Sequence, residues 1–286
     1  QDREAASARP GCEQPRVLRR LRGREHQVPA CRVPDARIAD GRKVCYSRHS
    51  HDHFSIGAIT AGRSTYLHEQ SNFQVESGTV VLMNPGDVHA CNPINGQPWS
   101  YVMLYVDTQW LTDLQRRIGF DETLGFQGFA TTHSRDIELF AALQGLYGQL
   151  VDERIDIARK HAAAEAFFID LQHRLNPAGR PDRGSHPGLM RAAQFIHDHC
   201  SEALKLEDIC AAAQLSPSYL SRAFKRHYGM TPHAFLVNRR IQFARRQLRE
   251  GKLIADVALD SGFADQAHFQ RAFKQHLAAT PGQYRG

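Results

Sequence analysis

The sequence lacks the features that mark several protein classes. Its six cysteines are scattered and include no Cys-x-x-Cys pair, which argues against a disulfide scaffold and against a cysteine-built zinc site. No stretch approaches the ~18–20 uninterrupted apolar residues that span a bilayer. The Arg-rich residues 1–24 lack the apolar run of a secretory signal. We therefore expect a cytoplasmic protein that does not enter a membrane.

The charge is distributed unevenly along a chain of otherwise ordinary composition. Hydrophobic residues make up 42% and charged residues 23% of the 286 positions, which suits a globular protein of about two domains. Residues 51–185 carry 10 basic and 16 acidic side chains, whereas residues 186–286 carry 14 and 8. A basic C-terminal part favours a polyanionic partner, although Arg-rich proteins often have a high isoelectric point without such a partner.

A proline- and glycine-rich segment predicts the domain boundary. Residues 176–188, NPAGRPDRGSHPG, contain three prolines, three glycines and almost no apolar side chain, a composition that interrupts helices and strands. The segment also coincides with the change of charge. We therefore predict a first domain over residues 1–175, a linker over 176–188 and a second domain over 189–286.

The first domain begins with a pattern typical of strands. Within residues 44–106, turn signals separate three apolar runs, which are Ser55–Thr60, Thr79–Met83 and Trp99–Val106. In the last run, residues 99, 101, 103 and 105 fall on one face and residues 102, 104 and 106 on the other. Both faces are apolar, which predicts a small barrel or sandwich buried on both sides.

Helical periodicity follows the strands. The predicted helices are Thr108–Ile118, Ser134–Glu153 with Ser134 as N-cap, and Ala158–Leu175. The third helix has an apolar stripe formed by Phe168, Leu171 and Leu175. This stripe either packs on its own barrel or pairs with its copy in a second subunit, and the sequence does not decide between the two.

The last hundred residues contain an internal duplication. The tetrapeptide Arg-Ala-Phe-Lys at 222–225 recurs at 271–274, and the Thr-Pro pair at 231–232 recurs at 280–281. The first copy predicts a helix over Leu206–Gln214 and a second helix that starts at Pro217 and stops at Gly229. The second copy predicts a helix over Asp256–Ser261, a turn at Gly262 and a helix from Asp265 to about Leu277. Each copy is therefore a predicted helix–turn–helix unit.

The second helix of each unit has the two faces that reading DNA requires. Apolar residues on one face can join a core, while the opposite face is polar and basic. A predicted helix over His233–Glu250, ~27 Å long, separates the units, compared with ~34 Å for one turn of B-DNA. These observations predict DNA binding; the alternative is a helical protein–protein module with an Arg-rich surface.

The C-terminal residues 189–285 resemble the DNA-binding domain of the AraC/XylS family of bacterial transcription regulators. The resemblance rests on Gly-Phe-Ala-Asp at 262–265, His-Phe-Gln-Arg-Ala-Phe-Lys at 268–274, and Thr280-Pro281. The sequence departs from the family at Ala278, where glycine usually ends the last recognition helix. The resemblance implies base contacts from Ser218, Ser221, Arg222, Gln266, Ala267, Gln270 and Arg271. It implies phosphate contacts from Lys225, Arg226 and Lys274.

Residues 44–106 resemble the cupin-like effector-binding barrel that is often fused to this DNA-binding domain. The resemblance rests on His-Asp-His at 51–53 and on Asn-Pro-Gly-Asp-Val-His at 84–89. His51, His53 and His89 are candidate metal ligands if the first two share one strand face. Metal-binding cupins also use a glutamate nearby, where this chain has Gly57 and Ala58. Candidate effector-binding residues are His53, Arg63, Tyr66, His89, Trp99 and Tyr101.

Together these observations predict an α+β protein with a cupin-like barrel plus helices, followed by an all-α tandem helix–turn–helix domain. We expect a transcription regulator, more often an activator, whose partners are promoter DNA, RNA polymerase, an unidentified small-molecule effector and a second copy of the chain. No cofactor and no enzymatic activity are expected. The alternatives are a metal-dependent cupin enzyme with a DNA-binding tail and a ligand-independent dimeric DNA-binding protein.

Overall fold

The computed structural model describes residues 35–42, 45–175, 177, 186–277 and 279–285. Within these residues, strands occupy the first half of the chain and helices dominate the second, so the predicted α+β class is confirmed. No helix in the described part of the chain is long and apolar enough to cross a membrane. Ala278, where the chain departs from the family pattern, and most of the predicted linker lie outside the described residues.

The strands form two antiparallel sheets that enclose a common core. The larger sheet has the order β1-β7-β2-β5-β8 and the smaller one the order β4-β3-β6. This is an open, cupin-like version of the predicted barrel. The strands are β1 (Asp35–Arg42), β2 (Phe54–Ala61), β3 (Arg63–His68), β4 (Ser71–Glu76), β5 (Val80–Met83), β6 (His89–Pro93), β7 (Trp99–Val106) and β8 (His133–Ser134).

Strand β7 has the two buried faces that its alternation predicts. Trp99, Tyr101 and Met103 lie between the two sheets with Tyr66. The opposite face, which includes Leu104, packs against three helices in a second apolar core. These helices are α1 (Thr108–Arg117), α2 (Ile137–Val151) and α3 (Ile157–Leu175).

The apolar stripe of α3 packs on its own domain. Phe168 and Leu171 are completely buried in the core beneath the larger sheet, and Leu175 is partly buried against the same core. Because these side chains already have partners within the chain, the stripe does not offer a free surface to a second subunit. Of the two alternatives for this stripe, the structure shows packing on its own barrel.

The predicted N-cap of α2 is wrong by two residues. Ser134 belongs to β8, where it pairs with Val80. The N-cap is Asp136, whose carboxylate accepts hydrogen bonds from the amides of Glu138 and Leu139 at 2.8 and 3.2 Å. Asp and Ser are both strong N-caps, and here the strand pairing takes the serine.

The C-terminal region contains two helix–turn–helix units joined by one long helix. Its helices are α4 (Pro187–Asp198), α5 (Leu206–Ala213), α6 (Pro217–Tyr228), α7 (Pro232–Arg249), α8 (Ile254–Asp260), α9 (Gln266–Leu277) and α10 (Pro281–Arg285). Helix α4 begins at Pro187, inside the segment predicted as linker. Helix α8 begins two residues before the predicted start at Asp256.

Helix α7 contributes to the cores of both units. Leu236 packs in the first core with Leu220 and Phe224. Ile241 and the next two turns of α7 pack in the second core with Phe269, among other side chains. The two recognition helices, α6 and α9, are therefore held at fixed positions along one rod.

We expect Gly262→Ala to destabilise the protein by about 1–3 kcal/mol, the usual range for a strained backbone conformation. Gly262 has φ of +76°, and an added Cβ would lie 2.7 Å from the Ser201 carbonyl oxygen. The control is Gly145→Ala on the exposed face of α2, which should stabilise by about 0.5–1 kcal/mol. Urea unfolding measures both changes; a Gly262→Ala midpoint equal to that of the wild type would contradict the expected strain.

Candidate functional site

The predicted DNA-reading residues lie on two exposed helix faces. On α6, Ser218, Arg222, Lys225 and Arg226 are exposed and Ser221 is half-buried. On α9, the exposed residues are Gln266, Ala267, Gln270, Arg271 and Lys274. The opposite faces of both helices are anchored in the two cores. The structure thus presents the whole predicted set to solvent, and contact of these residues with DNA stays a prediction.

A cavity lies between the two sheets and extends to the surface of the helical domain. The volume open to the centres of water molecules is about 50 Å³, where a single water needs about 10–15 Å³. Among the described residues, its lining contains no aspartate and no glutamate. The lining residues are Tyr46, His49, His51, Gly57, Ile59, Val81, Met83, His89, Cys91, Trp99, Tyr101, Met103, Tyr105, Arg245, His276 and Leu277.

Three of the six predicted effector-binding residues line this cavity, namely His89, Trp99 and Tyr101. Tyr66 does not, because it is buried in the core and its hydroxyl donates a 2.7 Å hydrogen bond to the Leu82 carbonyl. Arg63 is exposed at the start of β3, and His53 is half-buried outside the lining. These three residues are therefore not brought to the cavity.

The cavity contains a cluster of histidines that differs from the predicted set. His89 lies between His49 and His51, with ring centroids 4.4 and 4.9 Å away. The expectation that His51 and His53 share a strand face is wrong, since both precede β2 in an irregular segment and their ring centroids are 6.3 Å apart. His49, which the sequence reading did not select, takes the place of His53.

Backbone carbonyls fix the tautomers of the clustered histidines. The Nδ1 atoms of His49, His51 and His89 bond to the carbonyl oxygens of residues 47, 53 and 87, at 2.8, 2.9 and 2.9 Å. A carbonyl only accepts, so each Nδ1 must carry the proton and each neutral ring presents Nε2 as an acceptor. His276 has the same arrangement, with Nδ1 donating to the Ala272 carbonyl at 2.8 Å.

Burial keeps these imidazoles neutral at pH 7. Burial lowers the pKa of His49 and His51 well below the usual value, and the neighbouring His89 lowers it further. Burial also lowers the pKa of His89, to about 3, and that of His276. The cavity therefore combines neutral imidazoles with one permanent cation, Arg245.

The metal site predicted from His51, His53 and His89 is not assembled. Within the described residues, no group of three or more histidine, cysteine, aspartate or glutamate side chains has a geometry that could hold a metal ion. Only two members of the predicted trio, His51 and His89, line the cavity. The Nε2 atom of His51 is also already engaged, because it accepts from the Ser55 hydroxyl at 3.2 Å.

The helical domain supplies three cavity residues that the sequence does not single out, namely Arg245, His276 and Leu277. Arg245 on α7 and His276 on α9 lie more than 130 residues from the strands that they face. The Arg245 side chain is 5% exposed; its Nε donates to the Tyr284 hydroxyl at 3.1 Å and its Nη1 to Gln242 Oε1 at 2.8 Å. No local pattern in the sequence connects these side chains to the cavity.

The segment Tyr46–Asp52, which we call the strap, runs between the two domains. Tyr46, His49 and His51 line the cavity. The Tyr46 hydroxyl also lies 3.0 Å from the Tyr101 hydroxyl. Most of the remaining strap residues bond to the helical domain, so that one short segment contacts both.

The bonds from the strap reach α7 and the ends of both recognition helices. Asn238 Oδ1 accepts from the Ser50 amide at 3.3 Å, and Asn238 Nδ2 donates to the Ser50 carbonyl and hydroxyl, both at 3.1 Å. The Ser47 amide donates to the Gln275 carbonyl near the end of α9, at 3.1 Å. Arg48 donates to the carbonyl of Gly229, the C-cap of α6, at 3.1 Å.

A salt bridge closes the end of the strap. Arg239 Nη1 on α7 lies 2.7 Å from Asp52 Oδ1. A second contact lies beside the strap, where the Gln70 side chain donates to the Arg226 carbonyl on α6. The first domain therefore holds the C-terminal parts of both recognition helices and the rod that joins them.

Comparison with known proteins matches both halves of the chain. A family described as AraC-like ligand binding domain matches residues 35–168, and one described as Helix-turn-helix domain matches residues 209–286. The HTH-type transcriptional activator RhaS of Pectobacterium atrosepticum is 23% identical, over 84% of this chain and 87% of its own length. The uncharacterized HTH-type transcriptional regulator YbfI of Bacillus subtilis is 26% identical, over 78% of this chain and 81% of its own length.

Solved structures share the two-domain fold. The apo form of a single-residue variant of ToxT from Vibrio cholerae superposes with a TM-score of 0.57 at 14% identity, covering 88% of this chain and 96% of that one. Wild-type ToxT bound to an unsaturated fatty acid gives 0.56 at 14% identity, covering 87% and 94%. At this identity the likeness concerns the fold alone.

The neutral histidines predict a loss of stability in mild acid. Because their folded-state pKa values lie below 6.5, the unfolded chain binds more protons below that pH. The stability that neutral burial provides is present above pH 6.5 and is lost as the pH falls toward the folded-state value, about 3 for His89. At pH 5.5 the loss is about 1.4 kcal/mol for each imidazole that stays neutral.

Melting curves between pH 7.5 and 5.5 measure this effect in the wild type and in His89→Asn. Asparagine retains a donor for the Asp87 carbonyl but does not titrate, so the variant should have a smaller pH dependence. His173→Asn, on the exposed end of α3, is the control and should follow the wild type. Equal slopes for wild type and His89→Asn would show that this imidazole does not drive the transition.

Proposed function

This chain belongs to the AraC family of transcription regulators, and we propose that it reads promoter DNA under the control of a small molecule bound in the cavity between its domains. The observation that carries the proposal is the cavity itself, which is lined by strands of the ligand-binding domain and by Arg245 and His276 of the DNA-binding domain. A molecule in that position contacts both functional parts at once.

The DNA-binding role rests on the two exposed polar faces of α6 and α9. Helix α7 has 18 residues, which gives a rod of ~27 Å between units that would enter successive major grooves ~34 Å apart. On α9, Arg271 offers two donors to a guanine edge, and the side-chain amides of Gln266 and Gln270 offer a donor and an acceptor to adenine edges. Lys225, Arg226 and Lys274 supply cations for the phosphate backbone.

The effector role rests on the cavity and on the matched ligand-binding domain. The fatty-acid complex of ToxT supports a small-molecule ligand within this fold. The cavity of about 50 Å³ suits a smaller molecule, unless the flexible side chains of Met83 and Met103 move. We propose that the effector contacts the cavity face of the strap and thereby changes the bonds on its other face.

In this scheme, DNA affinity is lower while the strap is bonded to the helical domain. Lys225 and Arg226, the predicted phosphate contacts on α6, border clefts whose other walls include Arg48 and Glu69 of the first domain. Docking of the first domain therefore restricts the approach of DNA to this end of α6. A ligand that favours the undocked arrangement would shift the population toward the DNA-binding form.

Further partners follow from the relatives. RhaS and the lactose operon transcription activator of Staphylococcus xylosus are named as activators, so we propose activation through contact with RNA polymerase in the cytoplasm. The relatives are regulators, and we propose binding of the effector without turnover and without a cofactor. A homodimer remains part of the proposal, formed through a surface other than the buried stripe of α3.

The DNA-reading role is tested with Arg271→Ala at a site identified by genome-wide mapping of bound DNA. We expect specific binding to weaken by about 1–3 kcal/mol and the preference at one base pair to relax. Arg159→Ala, an exposed arginine on α3, is the control and should bind as the wild type does. An unchanged footprint for Arg271→Ala would remove this residue from the readers.

The strap is tested with Asn238→Ala, which removes three of its hydrogen bonds. Hydrogen exchange should accelerate at the Ser50 amide and also at the Ser47 amide, because both belong to one docked segment. The DNA dissociation constant should fall about fivefold or more, the lower end of ordinary allosteric coupling.

Gln194→Ala on the exposed side of α4 is the matched amide control for this experiment. Its exchange rates and DNA affinity should equal those of the wild type. If Asn238→Ala leaves the protection of Ser47 intact and the DNA affinity unchanged, the strap does not couple the two domains.

A further inference from the structure

We infer that the effector is a small aromatic hydroxy acid, whose carboxylate pairs with Arg245 and whose hydroxyl donates to a cavity histidine. The inference rests on the proposed function, because it takes the cavity as the effector site. It adds the chemical class of the ligand, which follows from the polar groups that the protein itself leaves unmatched.

Arg245 provides the site for an anion. Its guanidinium is buried, and its two protein acceptors, the Tyr284 hydroxyl and the Gln242 side-chain oxygen, are neutral. No carboxylate among the described residues pairs with it or lines the cavity. A buried cation without a counterion is strongly destabilising, so a ligand carboxylate or an equivalent monoanion would find a prepared partner.

Trp99 provides a second donor. Its indole Nε1 is buried and has no hydrogen-bond partner among the described residues, and the residue lines the cavity with 2% exposure. An indole nitrogen only donates. A buried donor without an acceptor is costly, so the Trp99 indole requires an acceptor on the ligand, and the charge of Arg245 requires that acceptor to be anionic.

The cavity histidines require a hydrogen-bond donor on the ligand. His49 and His89 donate from Nδ1 to backbone carbonyls, and within the described residues nothing donates to their Nε2 atoms. A ligand that carried only acceptors would leave these nitrogens buried and unmatched. The ligand must therefore also carry a donor, and a hydroxyl meets this demand without adding a second positive charge beside Arg245.

The remaining lining residues of the cavity favour a ligand with a flat apolar ring. Ile59, Val81, Met83 and Met103 line one part of the cavity. The rings of Trp99 and Tyr101 stack 4.6 Å apart with an interplanar angle of 26°, and such faces accept a further ring. A sugar would satisfy the histidines but would place hydroxyls against apolar walls and leave Arg245 without an anion.

The test uses the purified 286-residue chain and three isomers of hydroxybenzoate. Benzoate lacks the hydroxyl and 4-hydroxybenzyl alcohol lacks the charge. We expect at least one hydroxybenzoate to raise the melting temperature and to quench the fluorescence of Trp99 in a Trp110→Phe background. Benzoate and the alcohol should each bind about tenfold or more weakly.

Two arginine variants locate the carboxylate. Arg245→Gln should weaken the hydroxybenzoate about tenfold or more and abolish the preference for the acid over the alcohol. Arg246→Gln is the matched control, because this neighbouring arginine lies on the exposed side of α7, and its affinity should stay within about twofold. If Arg245→Gln does not fold, Arg245→Lys keeps the charge and should retain the preference for the acid.

The outcomes separate this inference from the proposed function. If no hydroxybenzoate binds at millimolar concentration while the same sample still binds its DNA site, the ligand class is wrong and the regulator stands. Equal affinity for acid and alcohol, or equal losses in the Arg245 and Arg246 variants, would also overturn the inference. If the wild-type protein did not bind any DNA site, that result would instead contradict the proposed function.

Discussion

The buried contact between Ser50 and Asn238 determines how the two domains meet. Asn238 is completely buried, and its side-chain amide is matched on both its oxygen and its nitrogen by the strap. Since a half-matched buried amide is costly, the contact favours one register between strap and α7. That register brings Arg245 and His276 over the open end of the sheets.

Helix α7 connects this contact to both helix–turn–helix units. Its side chains belong to the cores of both helix–turn–helix units, and its third side, which bears Asn238, Gln242 and Arg245, faces the first domain. A displacement of α7 relative to the strap therefore moves both recognition helices together. Helix α7, which sets the spacing of the DNA-reading faces, also contributes Arg245 to the lining of the cavity.

The sequence predicted those features that depend on local periodicity. The two faces of β7, the caps at Gly229 and Asp265, and both helix–turn–helix units follow from residue spacing alone, and the structure has them. The strap, Arg245 and His276 did not follow, because they depend on contacts between residues far apart in the chain. A regular strand over residues 51–53 would place His53 beside His51, but the chain is irregular there and His49 takes that place. Strand pairing of Ser134 leaves no local signal in the sequence, and it moves the N-cap of α2 to Asp136.

The electrostatic character of the cavity could not be read from the composition of its domain. Residues 51–185 are acidic overall, yet no described acidic side chain reaches the cavity, since carboxylates remain in water unless they are paired. Arg245 itself contributes to the lowered pKa of His49 and His51. An anion bound to Arg245 would remove part of that repulsion, so the occupancy of the cavity and the protonation of the strap histidines are linked through one charge. Because those histidines lie on the segment that holds the DNA-binding domain, this linkage joins the chemistry of the ligand to the position of both recognition helices.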